Sequence, residues 1–102
     1  VKASESESYF RRALTIEPAN RYALLNLALL YEKQSAFDKA DQYYARLSRE
    51  GDAQGYLGSA RIAEKQNRIA DAINFYRMVK STDSADTQAS NAANDRLMRL
   101  TK

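Results

Sequence analysis

Apolar side chains recur along the chain with the period of an α-helix, and nowhere with the alternation of a β-strand. Leu24, Leu27, Ala28 and Tyr31 stand at positions i, i+3, i+4 and i+7, which places them on one helical face. The same spacing, or a close variant, returns in two later segments. The pattern predicts six helices, at about residues 4–17, 20–34, 37–50, 53–66, 69–80 and 84–101.

The residues between these segments explain where the helices end. Pro18 disfavours helical geometry in the residue before it and stops the first helix. Asn20, Asp52 and Ser84 are suited to N-cap the second, fourth and sixth helices, and Gly51 suits a left-handed turn after the third. Because the connections are short, neighbouring helices are predicted to run antiparallel as hairpins.

Composition supports a single all-α domain. The 102 residues include only three Gly and one Pro, with 44% hydrophobic and 28% charged residues, which is ordinary for a folded domain. No apolar run approaches the roughly 18 residues of a membrane span. The absence of Cys fits any compartment, so the cytoplasm and a bacterial periplasm both stay open. Since the chain opens on Val1 without a signal peptide, we expect a fragment of a longer protein.

Charge and chemistry argue against an enzyme. The net charge of +3 is interleaved along the chain, and neither His nor Cys is present to act as a base, nucleophile or metal ligand. The carboxylate pairs Asp38/Asp41 and Asp83/Asp86 lie near predicted helix N-termini, where acidic residues favour the helix dipole. No phosphate-binding glycine loop occurs. The sequence predicts no catalysis, no cofactor and no metal.

An internal repeat organises the helices. When the chain is shifted by 32 residues, 24 positions align without a gap, and seven of them are identical. Aromatic doublets recur with nearly the same step, at Tyr9-Phe10, Tyr43-Tyr44 and Phe75-Tyr76. A fixed period of two helices is typical of a stacked array of hairpins. The identical pairs are Leu25/Leu57, Ala28/Ala60, Glu32/Glu64, Lys33/Lys65, Gln34/Gln66, Ala40/Ala72 and Tyr44/Tyr76.

These residues resemble a known motif. The pattern Leu24-x2-Leu27-Ala28-x2-Tyr31, followed by Ala40-x3-Tyr44-x2-Leu47, is similar to the tetratricopeptide repeat (TPR), and Phe10-x2-Ala13-x4-Pro18 resembles its ending. The resemblance implies a right-handed α-solenoid of antiparallel helical hairpins. Residues 1–102 then form one TPR-like domain, with the second helix of an incomplete repeat at 1–19, repeats at 20–52 and 53–83, and a capping helix at 84–102.

Packing expectations follow from the same alignment. Ala28, Ala40, Ala60 and Ala72 are small where two helices of a hairpin cross, and the aromatic doublets fill the space between hairpins. Six tyrosines fall on or beside the apolar stripe and are predicted to lie in the core. They are Tyr9, Tyr22, Tyr31, Tyr43, Tyr44 and Tyr76.

The resemblance implies a non-enzymatic protein–protein interaction module, a scaffold or adaptor whose concave groove binds a peptide or helix of a partner. Leu25, Leu29 and Leu57 are not needed by the hairpin stripe and would stand in this groove, unless the last helix or another neighbour covers them. A clamp for terminal carboxylates is rejected, because Gln54 and Gly58 stand where its Lys and Arg would be. The predicted partner-binding residues are Tyr22, Leu25, Asn26, Leu29, Lys33, Gln54, Leu57, Arg61 and Lys65.

The partner's identity stays open, although the Ala-, Gln- and Asn-rich composition looks bacterial, which suggests an assembly or secretion system. One alternative is a nucleic-acid-binding helical repeat, but carboxylates interrupt the basic stripe, so no specific nucleic acid is expected. Another alternative is self-assembly of a longer solenoid. The first helix would present an uncovered end face, predicting a homodimer unless that helix is itself a cap. This face comprises Tyr9, Phe10, Leu14 and Ile16.

Overall fold

The computed structural model describes residues 2–82 and 85–102, and within them it contains six α-helices and no β-strand. Each predicted helix is present, and its ends differ from the prediction by three residues or fewer. The prediction of an all-α array of hairpins is therefore confirmed. The helices are α1 (Ala3–Ile16), α2 (Arg21–Lys33), α3 (Phe37–Arg49), α4 (Ala53–Lys65), α5 (Ile69–Lys80) and α6 (Thr87–Leu100).

The predicted caps of α2 and α4 are present. The side chain of Asn20 accepts a hydrogen bond from the backbone N–H of Ala23 at 3.0 Å. The carboxylate of Asp52 accepts one from the N–H of Gln54 at 2.9 Å. Gly51 has a φ of 78°, the left-handed conformation predicted after the third helix.

The start of the last helix differs from the prediction. Its N-cap is Asp86, whose carboxylate accepts a hydrogen bond from the N–H of Ala89 at 2.8 Å. The predicted cap Ser84 lies outside the described residues, as does Asp83 of the second carboxylate pair. An aspartate caps a helix as well as a serine does, so the pattern alone did not separate the two.

The helices stack in chain order. Each helix packs against the next, and the first helices of successive hairpins also touch, α2 with α4 and α4 with α6. The helix α6 therefore contacts α5 and α4 in the way that α4 contacts α3 and α2. The turns inside the two hairpins also repeat, because Ser35 and Asn67 both adopt a φ of 60°. The molecule measures 43 × 27 × 20 Å.

Small residues lie where the hairpin helices cross, as predicted. Ala28, Ala40, Ala60 and Ala72 are all fully buried. Two core clusters result. One lies within α2–α3 and takes Ile62 from α4, and the other joins α4, α5 and α6.

The prediction of buried tyrosines is right for one part of the molecule and wrong for another. Tyr31, Tyr44 and Tyr76 are buried, as expected for rings between packed helices. Tyr9 and Tyr22 are instead 64% and 63% exposed. The reason is their position, on α1 and in the first turn of α2, where no further helix of the described residues covers them.

Candidate functional site

Two clefts lie along the first helices of the hairpins. The cleft between α2 and α4 has a volume of about 480 Å³ and is lined by Leu25, Leu29, Glu32, Lys33, Gln54, Arg61 and Lys65. The cleft between α4 and α6 has a volume of about 580 Å³, and its lining includes Leu57, Glu64, Tyr76, Asp95, Arg96 and Arg99. Arg61 and Lys65 line both clefts, so the two join into one surface, which we call the α2–α4–α6 groove.

The structure brings six of the nine sequence-predicted site residues into the α2–α4 cleft. Tyr22 and Asn26 lie outside it. The ring of Tyr22 packs edge-on against Phe10 of α1, with centroids 5.5 Å apart. The amide of Asn26 donates a hydrogen bond to the backbone carbonyl of Tyr22 at 2.8 Å. These two residues support the start of α2 and do not line the cleft.

For Leu57 the structure shows the alternative that the last helix covers it, although the residue still borders the α4–α6 cleft. Leu57 is only 9% exposed and belongs to the core cluster that joins α4, α5 and α6. The last helix covers it, with Ala89 and Ala93 buried in the same cluster. Leu29 on α2, by contrast, is 43% exposed.

Glu32 is the central polar group of the groove floor. It is 8% exposed, and its carboxylate accepts a hydrogen bond from the hydroxyl of Tyr44 at 2.6 Å. Arg61 donates to both carboxylate oxygens, at 3.0 and 3.1 Å, and the ammonium of Lys65 donates at 3.1 Å. One buried carboxylate thus ties α2 to α3 within its hairpin and to α4 of the next.

The groups around the Glu32 carboxylate keep it ionised. Burial alone would raise the pKa of Glu32, but hydrogen bonds from Arg61 and Tyr44 outweigh it and lower the pKa to about 2. The pKa of the Tyr44 hydroxyl is raised, first by burial and then by its bond to the Glu32 carboxylate. The arrangement therefore holds a carboxylate, a neutral phenol and a guanidinium together at neutral pH.

The next hairpin contains an equivalent group. Glu64 accepts hydrogen bonds from the hydroxyl of Tyr76 on α5 and from the Nε and Nη2 atoms of Arg96 on α6. The bond from Arg96 lowers the pKa of Glu64 and outweighs the opposing effect of burial. The two glutamates and the two tyrosines are pairs that the 32-residue repeat aligns. The sequence alignment pairs Glu32 with Glu64 and Tyr44 with Tyr76, but it does not predict that the two carboxylates bind the groove cations.

These contacts determine which groups remain free to bind a ligand. Arg61, Lys65 and Arg96 are committed to buried or half-buried carboxylates. Lys33 and Arg99 line the groove and form no ion pair within the described residues. The groove thus combines exposed leucine surface with a few unpaired cations, which suits a peptide more than a small charged substrate.

The described residues do not support a metal site or a membrane-spanning helix. Across residues 2–82 and 85–102, no group of three or more acidic side chains is placed to hold a metal ion. Within the same residues, every helix is too short or too polar to cross a bilayer.

The stacked hairpins and the surface along their first helices define an α-helical repeat protein. Residues 23–54, which cover α2, α3 and the start of α4, match the model of the tetratricopeptide repeat family. The match confirms, over these residues, the resemblance to a tetratricopeptide repeat that the sequence shows. A repeat of this family indicates a protein–protein interaction module. A comparison with curated proteins gave no match.

Proposed function

We propose that the α2–α4–α6 groove binds an extended or helical segment of another protein, so that the chain acts as a non-enzymatic scaffold or adaptor. The observation that carries the proposal is the α2–α4 cleft, where exposed Leu29 and half-buried Leu25 lie beside Lys33 and Gln54. Apolar anchors flanked by convergent polar groups are a common means by which helical receptors hold peptides.

The same contacts favour a protein partner over nucleic acid. Three of the groove cations are already paired with Glu32 or Glu64, so the groove does not offer a continuous row of free positive charge. Lys33 is the unpaired cation nearest the leucines, and it suits a carboxylate or backbone carbonyl of a bound peptide. Since bacterial proteins of this family often serve in assembly or secretion, we propose that kind of system as the setting.

The test uses two variants with the same kind of substitution. Leu25→Asp combined with Leu29→Asp places charge in the cleft, and Met78→Asp places it on α5, away from the cleft, at a residue that is 42% exposed. Peptides are selected from a displayed random library on the wild-type chain, and their affinities for both variants are measured by calorimetry. Loss of a groove anchor is expected to weaken binding by about 1–3 kcal/mol.

The Met78 variant is expected to bind like the wild type. Circular dichroism establishes that both variants keep their helix content, which is expected because the substituted positions are exposed or half-buried. Peptides that bind the double variant as tightly as the wild type would exclude the α2–α4 cleft as the binding site.

A further inference from the structure

The helix α1 is the least covered element of the molecule. Among the described residues, its backbone lies close to that of α2 and of no other helix, and none of its residues is buried. The predicted end face divides into two. Phe10 and Leu14 turn inward and pack against the core of the first hairpin, whereas Tyr9 and Ile16 are 64% and 86% exposed. Of the four residues predicted to form an uncovered end face, only Tyr9 and Ile16 are therefore exposed.

The exposed residues of α1 form a regular stripe. Glu5, Tyr9, Arg12 and Ile16 are separated by four, three and four residues, so they share one side of the helix, and all four are exposed. At 100° per residue, this side is centred about 130° around the helix from Phe10, which faces α2. The ring of Tyr9 also packs edge-on against the ring of Phe10, with centroids 5.4 Å apart. We call these four residues the α1 stripe.

The charges of the α1 stripe are complementary to a second copy of the same stripe. Glu5 stands four residues before Tyr9 and Arg12 three residues after it. In an antiparallel pair about a two-fold axis near Tyr9, Glu5 of each copy therefore faces Arg12 of the other. Neither side chain forms an ion pair within the described residues, so both are available. A parallel pairing would instead set like charges together.

Neighbouring charges on α1 do not compete for this contact. Glu7 and Arg11 pair with each other on the side that faces α2, where both also bond the hydroxyl of Tyr31. At the other end of the molecule, the exposed residues of α6 include the polar Gln88 and Asn91 and the apolar Met98. The α1 stripe differs in combining exposed apolar side chains with opposite charges that are spaced for pairing with a second copy.

We propose that α1 mediates a homodimer of this chain, in which the α1 stripes of two copies pack antiparallel about a two-fold axis near Tyr9. The rings of the two Tyr9 residues meet at the centre, and each Glu5 pairs with the partner's Arg12. Because a single helix from each copy makes the contact, the buried area is below that of a standard interface and the dimer is weak. The groove along α2, α4 and α6 takes no part in it, so the proposal is independent of the proposed function.

Charge reversal tests the pairing. Sedimentation equilibrium over a concentration series gives the dimer dissociation constant of the wild type, of Glu5→Arg and of Arg12→Glu. Each single reversal turns two attractive contacts of the dimer into two repulsive ones and is expected to raise the dissociation constant about tenfold or more. The double variant, Glu5→Arg with Arg12→Glu, restores opposite charges and is expected to return the dissociation constant to within a few fold of the wild type.

A matched pair of substitutions tests the apolar centre. Tyr9→Asp is expected to weaken the dimer, whereas Met98→Asp on α6 is expected to leave it unchanged, although the two residues are similarly exposed, at 64% and 66%. Both positions are on the surface, and circular dichroism checks that the helices persist. A wild-type chain that stays monomeric at every concentration overturns the proposal. Oligomers larger than a dimer, or a dimer insensitive to both single reversals, overturn it as well.

Discussion

The two hairpins contain the same Tyr–Glu pair, but the first encloses it more completely. Glu32 has a side chain that is 8% exposed and receives donors from Tyr44, Arg61 and Lys65. Glu64, its repeat equivalent, is 17% exposed and receives donors from one tyrosine and one arginine. In both cases the cation comes from the first helix of the following unit, so the enclosure of each pair depends on its neighbour.

The neighbour of the first hairpin approaches unusually closely. Gly55 and Gly58 of α4 face α3, and a Cβ atom added at Gly58 would overlap the ring of Tyr44. The corresponding contact of α6 with α5 uses Ala89 and Ala93. The absence of two side chains thus lets α4 close over Tyr44 and bring Arg61 and Lys65 onto Glu32. Equal motifs in a repeat array acquire different environments from the helix that follows them.

The largest expected effect comes from removing the buried rings. Tyr44→Ala is expected to reduce the free energy of unfolding by about 3–5 kcal/mol, as for other large buried aromatics. Tyr76→Ala removes an equally buried ring, and its loss is expected at the lower end of that range, because its partner Glu64 is more exposed than Glu32. Urea unfolding of the two variants gives both values. A loss below about 1 kcal/mol for Tyr44→Ala would contradict its burial between the hairpins.

Most of the fold could be predicted because its determinants are local. Helical periodicity, the caps Asn20 and Asp52 and the turn at Gly51 each depend on a few adjacent residues. The burial of Ala28 and Ala60 followed from the repeat, since both occupy the same place in equivalent hairpins.

The site was harder to predict, because repeat position does not specify neighbours. Leu25 and Leu57 align, yet Leu57 is buried in the cluster that includes α6, whereas Leu25 is only half-buried. The anchoring role of Glu32 depends on donors about thirty residues further along, which no local pattern connects to it. The family motif predicted that Tyr22 lies in the groove, but its ring packs against Phe10 of α1 instead.

The two glutamates are also expected to differ in how much stability each loses at low pH. This effect is smaller than that of removing a buried ring. The pKa of Glu32 falls from 4.5 to about 2 on folding, so its stabilising contribution is complete above pH 4.5 and declines as the pH falls towards 2. This decline is expected to amount to about 2–3 kcal/mol of unfolding free energy. Urea unfolding at a series of pH values measures it.

Two glutamine variants show which glutamate causes the loss of stability at low pH. In Glu32→Gln the stability at neutral pH is lower, and the slope between pH 4.5 and 2 is expected to flatten. In Glu64→Gln most of the slope is expected to persist, since Glu64 is more exposed and has one cationic partner. An acid profile that Glu32→Gln leaves unchanged would show that Glu32 is not the titrating group.

The smallest expected effect tests whether Gly58 is the reason that the Glu32–Tyr44 pair is so fully enclosed. Gly58→Ala forces either α4 or the ring of Tyr44 to move, and overpacking of this kind costs about 1–3 kcal/mol. The gain in helix propensity offsets up to about 1 kcal/mol, so a net loss near 1 kcal/mol is expected. Asn26→Ala, at the equivalent position of α2, is the control and is expected to change stability by less than about 0.5 kcal/mol.

A double-mutant cycle tests whether the ring of Tyr44 is what makes Gly58→Ala unfavourable. In the Tyr44→Ala background the ring is absent, so Gly58→Ala is expected to become neutral or stabilising, and the two changes to couple by about 1 kcal/mol or more. Chemical denaturation of the four proteins gives the coupling free energy. If Gly58→Ala costs as much without the ring as with it, contact with Tyr44 is not what requires glycine in α4, and the greater enclosure of Glu32 needs a different cause.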